Sequence, residues 1–219
     1  MGKTQNYVSS ELTHFVGRSL ENDEARYQLL IEIIRTGRIR TRNGNGRGTM
    51  VFERRPNIPV STNKSINPDM VCFCDIPVSD FEIHMKKYSQ FGLSFSKAFL
   101  TSQGIRPVFY IPQTATSWKD NISDIFDQGV KDLMHLEDTK AISMRIAGFI
   151  NFQILSYLKF YDPEKGEDDP DNYYMEREWR SLGSIDFVVN DISRIILPAP
   201  YIKRFFQDIP EYNSHILTV

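Results

Sequence analysis

The stretch Tyr173-Tyr-Met-Glu-Arg-Glu-Trp-Arg-Ser-Leu-Gly183 sets the reading of the whole chain. As a strand it sends successive side chains to opposite faces. Glu176, Glu178 and Arg180 then share one face, and Met175, Arg177 and Trp179 share the other. Two carboxylates so close raise each other's pKa unless a cation lies between them, and Arg180 is placed to be that cation. Such a group suits a site that orients a ribose hydroxyl or stabilises a cationic transition state. It equally suits an exposed sheet face whose charges are screened by water.

The flanking sequence supplies more strands. Ile185 to Val189 and Ile195 to Leu197 are strand-like, Ala199 to Phe206 suggests a last helix, and His215 to Val219 a last short strand. Upstream, Glu11 to Val16 reads as a strand with Leu12, His14 and Val16 on one face. A histidine on an apolar face is more often a hydrogen-bonded core residue than a catalyst. Asn22 or Asp23 caps a helix carrying Tyr27, Leu30, Ile31 and Ile34, and Gly37 ends it. Val71 to Ile76 is a strand with Cys72 and Cys74 on one face; a helix follows with Phe81, His84, Met85 and Tyr88 in register. Phe91 to Phe95 and Pro107 to Ile111 are strands, the first placing Ser94 and Ser96 on one face.

Two helical patterns come next. Trp118 to Glu137 carries Ile122, Ile125, Phe126, Val130 and Leu133; Thr139 to Phe160 carries Ile142, Ile146, Phe149, Ile150, Ile154 and Tyr157. Both stripes read as core faces. The expected architecture is therefore α+β, a single domain over residues 1–219. It has a mixed, mostly antiparallel sheet and an added helical pair at about 118–160.

Charge is unevenly placed. Arg35 to Arg55 holds seven arginines and one acid, Glu53, around the glycine-rich centre Asn43-Gly-Asn-Gly-Arg-Gly48. Backbone N–H groups and the Arg40, Arg42 and Arg47 guanidinium forks could wrap an anion there. Nucleotide phosphates or a nucleic-acid backbone are candidate guests; an exposed surface loop is the alternative. No Walker or G-x-G-x-x-G pattern accompanies it. Asp162 to Asp171 holds six acids and reads as a solvated, mobile loop or a partner surface. The whole chain carries a net charge of −2, which makes no case for nucleic acid or membrane as the partner of the molecule at large. Its two cysteines and four histidines give neither a disulfide framework nor an evident metal site, and free thiols suit a reducing cytosol. No signal core or membrane span is apparent, so a cytoplasmic location is expected.

His14, Cys72-Phe-Cys-Asp-Ile-Pro77, His84-Met-Lys-Lys-Tyr-Ser-Gln-Phe-Gly92, Pro107-Val-Phe-Tyr-Ile111 and Glu176-Arg-Glu-Trp-Arg180 occur in this order. In them the chain resembles the AbiGi family of bacterial abortive phage resistance, from about Glu11 to Pro200. That resemblance implies the antitoxin half of a two-gene system, with a cognate toxin as partner. The order of parts is also similar to ADP-ribosyltransferase-like folds, with their split sheet. This second resemblance implies NAD or a related nucleotide as ligand. It puts His14 on the adenosine ribose or the nicotinamide, and Tyr88 stacked on nicotinamide. Ser94 and Ser96 become the polar pair of the middle strand, although the strand reads Ser-Phe-Ser where that family has Ser-Thr-Ser. Glu178 becomes the catalytic carboxylate and Glu176 the acceptor-side one, while Arg180 has no counterpart. Three functions are open: a nucleotide-dependent enzyme, a non-catalytic antitoxin and a nucleic-acid-binding module. The first requires His14, the acidic pair and the arginine-rich segment to line a common pocket.

Overall fold

The computed structural model describes residues 9–42, 52–117, 120–169 and 171–219. Nine strands frame the site: β1 (Glu11–Phe15), β2 (Met70–Cys74), β3 (Gly92–Ser96), β4 (Arg106–Pro107), β5 (Phe109–Pro112), β6 (Leu158–Tyr161), β7 (Glu178–Leu182), β8 (Ile192–Leu197) and β9 (His215–Thr218). Seven of them form one sheet in the order β9-β8-β3-β1-β2-β7-β4. Only β8 and β9 run parallel within it. The α+β class and the mixed, mostly antiparallel sheet are as expected from the sequence.

Helix α1 (Asp23–Thr36) covers one face of this sheet. The Asn22 side chain accepts from the Ala25 N–H, and Asp23 and Glu24 complement the positive end of the helix. Gly37 closes it in the left-handed conformation, at φ 58°. Tyr27, Leu30, Ile31 and Ile34 bury against Phe73, Leu93, Phe95 and Ile195. Burying four such side chains contributes on the order of 6–12 kcal/mol before chain entropy is counted. The opposite face of the sheet carries the polar side chains described below.

A second apolar cluster joins Val60, Ile111, Val130, Leu133, Leu155, Leu158 and Phe160. Here α4 (Ile122–Asp138) packs over the parallel β5–β6 pair, the shorter helices α2 (Phe81–Lys87) and α3 (Lys97–Ser102) lying earlier in the chain. Trp118 lies outside the described residues. The pattern from Thr139 to Phe160 is not one helix. It is α5 (Met144–Phe149), a π-helical turn (Ile150–Ile154), a 3-10 turn (Leu155–Tyr157) and then β6. Leu158-Lys-Phe-Tyr161 alternates apolar and polar, and tertiary pairing with β5 overrides the helical stripe. Ile125, Ile146 and Phe149, expected in the core, are exposed. The tail of the chain forms α6 (Ile202–Asp208) before β9. No helix among the described residues is long and apolar enough to cross a membrane.

Candidate functional site

Sheet register places the polar face. Glu178 lies opposite Cys74, and Arg180 opposite Cys72. Thr13 lies opposite both Cys74 and Ser94. Directly opposed residues of antiparallel strands share a face, so Thr13, Cys72, Cys74, Glu178 and Arg180 point together. Val71, Phe73 and Trp179 fall on the other side and meet the core.

Glu176 reaches the same place by a different route. Residues Tyr173–Glu176 form a 3-10 turn, and Arg177 adopts φ 44° in the left-handed region. The expected continuous strand from Tyr173 is therefore corrected: period two holds only from Glu178 to Leu182. The turn delivers Glu176, which β alternation alone would not have fixed.

Both carboxylates are buried, and cations surround them. Arg180 Nε lies 2.7 Å from Glu178 Oε1, and Lys159 Nζ lies 3.2 Å from Glu178 Oε2. Lys159 Nζ is also 4.0 Å from Glu176 Oε2. Lys87 Nζ, at 2.7 Å, and the Tyr88 hydroxyl, at 2.5 Å, both donate to Glu176 Oε1. Lys87 and Lys159 sit over the Tyr173 ring at 4.8 and 4.3 Å. Burial works to raise the Glu178 pKa, but Arg180 and Lys159 outweigh it and hold the carboxyl down at about 2. Glu178 is thus a fixed anion at neutral pH. Burial and the Glu176 carboxylate push the Tyr88 hydroxyl far above its ordinary range, so it stays a donor.

His14 occupies a gap in the sheet. The β1–β2 ladder consists of the Thr13–Cys74 pair. One residue on, His14 Nδ1 lies 2.8 Å from the Cys72 carbonyl, which ladder bonding would otherwise occupy. A carbonyl only accepts, so Nδ1 carries the proton and Nε2 is left as an acceptor. Burial lowers the His14 pKa and favours the neutral ring.

These groups enclose a cavity of about 390 Å³. His14, Tyr88, Glu176 and Glu178 all line it, with Arg18, Cys72, Lys159 and Arg180. Ser94 is buried beneath it, 2.8 Å from the Thr13 hydroxyl, and is not in its wall. Ser96 caps α3 by accepting from the Phe99 N–H and is exposed. Arg42 lines an adjoining cavity of about 460 Å³, which shares Asn67, Pro68, Met70 and Cys72 with the first. Arg40 lines a smaller cavity on the other side of His14 and lies 3.7 Å from Glu32. Arg47 lies outside the described residues. Of the other arginines in this segment, Arg35 pairs with Asp208, Arg38 with Asp186, Arg54 with Glu137 and Arg55 with Glu53.

Sequence reasoning did not single out Arg18, Lys87, Tyr110 or Lys159. The Tyr110 hydroxyl accepts from the Glu178 backbone N–H at 2.6 Å, which fixes the start of β7. Lys159 was hidden inside a helical stripe. The Lys-Lys-Tyr run of α2 was the available signal for Lys87, since the end of the helix brings neighbouring residues 87 and 88 to the same oxygen of Glu176. In the acidic loop, Lys165 pairs with Asp169 and Asp171, and the Asn172 side chain donates to the Lys165 and Gly166 carbonyls. Among the described residues no three His, Cys, Asp or Glu side chains are grouped to hold a metal ion.

A family model described as "Putative abortive phage resistance protein AbiGi, antitoxin" matches residues 45–203. No curated protein and no solved structure matches the chain.

Proposed function

The chain belongs to the AbiGi family of abortive phage resistance, and from that premise we propose that it acts in cytoplasmic phage defence through a nucleotide-binding cavity centred on Glu178. The observation that carries this reading is the convergence of His14, Tyr88, Glu176 and Glu178 on one cavity; the arginine-rich segment expected to join them does not line it, since Arg42 lines the adjoining cavity and Arg40 a third. NAD or a related nucleotide fits its chemistry. Cleavage of the bond between nicotinamide and ribose develops positive charge on the sugar, and a permanently ionised carboxylate stabilises it. Arg180 Nη2 and Lys159 Nζ both address Oε2 of Glu178, and Arg180 Nε addresses Oε1. A ribose hydroxyl would be received at the remaining lone pair of Oε1, in competition with the Cys72 thiol that also bonds this carboxylate. Glu176, held by Lys87 and Tyr88, faces the acceptor side. His14 Nε2 accepts from a ligand hydroxyl or amide.

The test is a melting-temperature shift with NAD and ADP-ribose, since a ligand bound to the folded state must stabilise it. A shift with either ligand is expected, and release of nicotinamide from NAD by the wild type but not by Glu178→Gln. Release that survives the substitution intact would rule out the carboxylate mechanism; no shift would rule out the cavity as a nucleotide site.

A second reading has its own support. On α5, Met144 is 91% exposed, Ile146 52% and Phe149 58%. Apolar side chains this open suit a non-catalytic antitoxin that covers a toxin through the helical pair. In that case Glu176, Glu178 and Arg180 form a structural network, and Glu178→Gln leaves toxin capture unchanged.

A further inference from the structure

Counting charges around the cavity separates one cation from the rest. Lys87 contacts Glu176, Arg180 contacts Glu178, and Lys159 lies between the two carboxylates. Arg18 does not: among the described residues no carboxylate lies within ion-pairing distance of it. It is exposed in the turn after β1, and its guanidinium carbon sits 5.0 Å from the centroid of the Tyr88 ring. The same ring stacks at 6.0 Å on Phe15, nearly parallel. Arg18 is therefore positioned by an aromatic surface rather than by an acid, and it still lines the cavity. The lining carries Arg18, Lys159 and Arg180 against Glu176 and Glu178, an excess of one positive charge with His14 neutral.

We infer that Arg18 is the anion contact of this cavity and that it selects ligands carrying a phosphate or pyrophosphate over uncharged nucleosides. The inference rests on the nucleotide reading of the same cavity and adds to it the charge that the ligand must bring. A guanidinium presents a planar fork that matches phosphate oxygens in pairs, and stacking on Tyr88 limits the orientations it must give up on binding. Arg18 is a specificity residue in this account, while the reacting carbon is addressed by Glu178. The cations already paired with Glu176 and Glu178 would have to leave a buried carboxylate to serve a ligand, which is costly. Arg18 has no such obligation.

The experiment is calorimetric titration of ADP-ribose, adenosine and inorganic pyrophosphate into the wild type, Arg18→Gln and Arg18→Lys. The wild type is expected to bind ADP-ribose more tightly than adenosine. Arg18→Gln should weaken ADP-ribose and pyrophosphate by roughly tenfold to a hundredfold, the scale of one charge-assisted contact, and leave adenosine within about twofold. Arg18→Lys keeps the charge without the fork and should fall between. Unchanged ADP-ribose and pyrophosphate binding by Arg18→Gln overturns the inference, as does wild-type affinity for adenosine equal to that for ADP-ribose. Pyrophosphate binding that needs Arg18, with no gain from adding the nucleoside, keeps the anion contact and overturns the nucleotide reading. No binding of any of the three overturns both.

Discussion

Arg180 holds the carboxylate of Glu178, two residues earlier on the same strand, and ties it to a different part of the chain. Its Nε lies 2.7 Å from Glu178 Oε1, while its Nη1 donates to the carbonyls of Ser156 at 2.6 Å and Leu158 at 3.1 Å. Those carbonyls belong to the segment that leads from the helical pair into β6. One guanidinium thus links the central sheet, the catalytic candidate and the helical insertion. Both side chains are nearly inaccessible, at 6% and 5% exposure for Glu178 and Arg180. Removing one partner of a buried pair leaves the other charge uncompensated, at a cost of about 3–5 kcal/mol. Arg180→Met should lower stability by that amount, and Glu178→Gln with Arg180→Met together by less than the sum of the singles. Denaturant melts of the three variants measure this, and strictly additive losses would show that the two groups do not act as a pair.

The same pair predicts an acid limit. The Glu178 carboxyl has an ordinary value of 4.5 and is held at about 2 in the folded protein. The unfolded chain therefore binds the proton first as pH falls. The stabilisation is fully present above pH 4.5 and disappears as pH falls towards 2. A shift of this size corresponds to about 3 kcal/mol. Stability measured from pH 6 to pH 2.5 should fall more steeply in the wild type than in Glu178→Gln. Parallel curves would mean that another group controls the acid transition.

Much of the sheet was legible because alternation works when one face is buried. Cys72 and Cys74 opposed to Val71 and Phe73, and Glu178 and Arg180 on one side, are read correctly from period two alone. Glu176 converges on the cavity although alternation stops at Arg177, whose left-handed backbone has no glycine to announce it. Lys159 could not be found, because Ile150, Ile154 and Tyr157 continue a helical stripe that the chain abandons for a strand. Arg40 and Arg42 illustrate a different limit. Composition showed that the segment is cationic but not that Arg35, Arg38 and Arg54 find acids elsewhere in the fold, as Arg40 does at longer range.

The two thiols should be unreactive in the native protein. Burial pushes the Cys72 thiol well up, and the Glu178 carboxylate adds to this. Burial, with Glu176, does the same for Cys74, whose Sγ lies 3.4 Å from the Thr13 carbonyl. Only the thiolate attacks an aromatic disulfide reagent. Titration at pH 8 should release little chromophore from the folded protein and two equivalents after denaturation. Prompt release of one equivalent from the native state would place a thiolate in the cavity.

Gly37 is predicted to be intolerant of any side chain. Its φ of 58° is in the left-handed region, and a Cβ there would stand 2.5 Å from the Phe187 carbonyl oxygen. The Gly37 carbonyl also accepts from the Phe187 N–H, so the backbones cannot separate without losing that bond. Gly37→Ala should cost more than about 2 kcal/mol, above the roughly 1 kcal/mol of a left-handed alanine alone. Chemical denaturation would reveal it; a loss within about 0.5 kcal/mol would mean that the helix end moves freely.

The exposed face of α5 gives the measurement that separates the two functional readings. Met144→Ser, Ile146→Ser and Phe149→Ser remove apolar area that the folded chain leaves in water. Changes at exposed sites usually alter stability by no more than about 0.5 kcal/mol each. The combined variant should therefore melt close to the wild type and keep its shift with NAD or ADP-ribose, because none of the three side chains lines the cavity. If this face covers a toxin, capture of the cognate toxin falls by an order of magnitude or more, since a few buried apolar anchors carry most of an interface's energy. Glu178→Gln should show the reverse pattern, with capture intact and nicotinamide release lost. Retained capture by the α5 variant removes the helical pair as the toxin surface and leaves the cavity as the feature through which this family member acts.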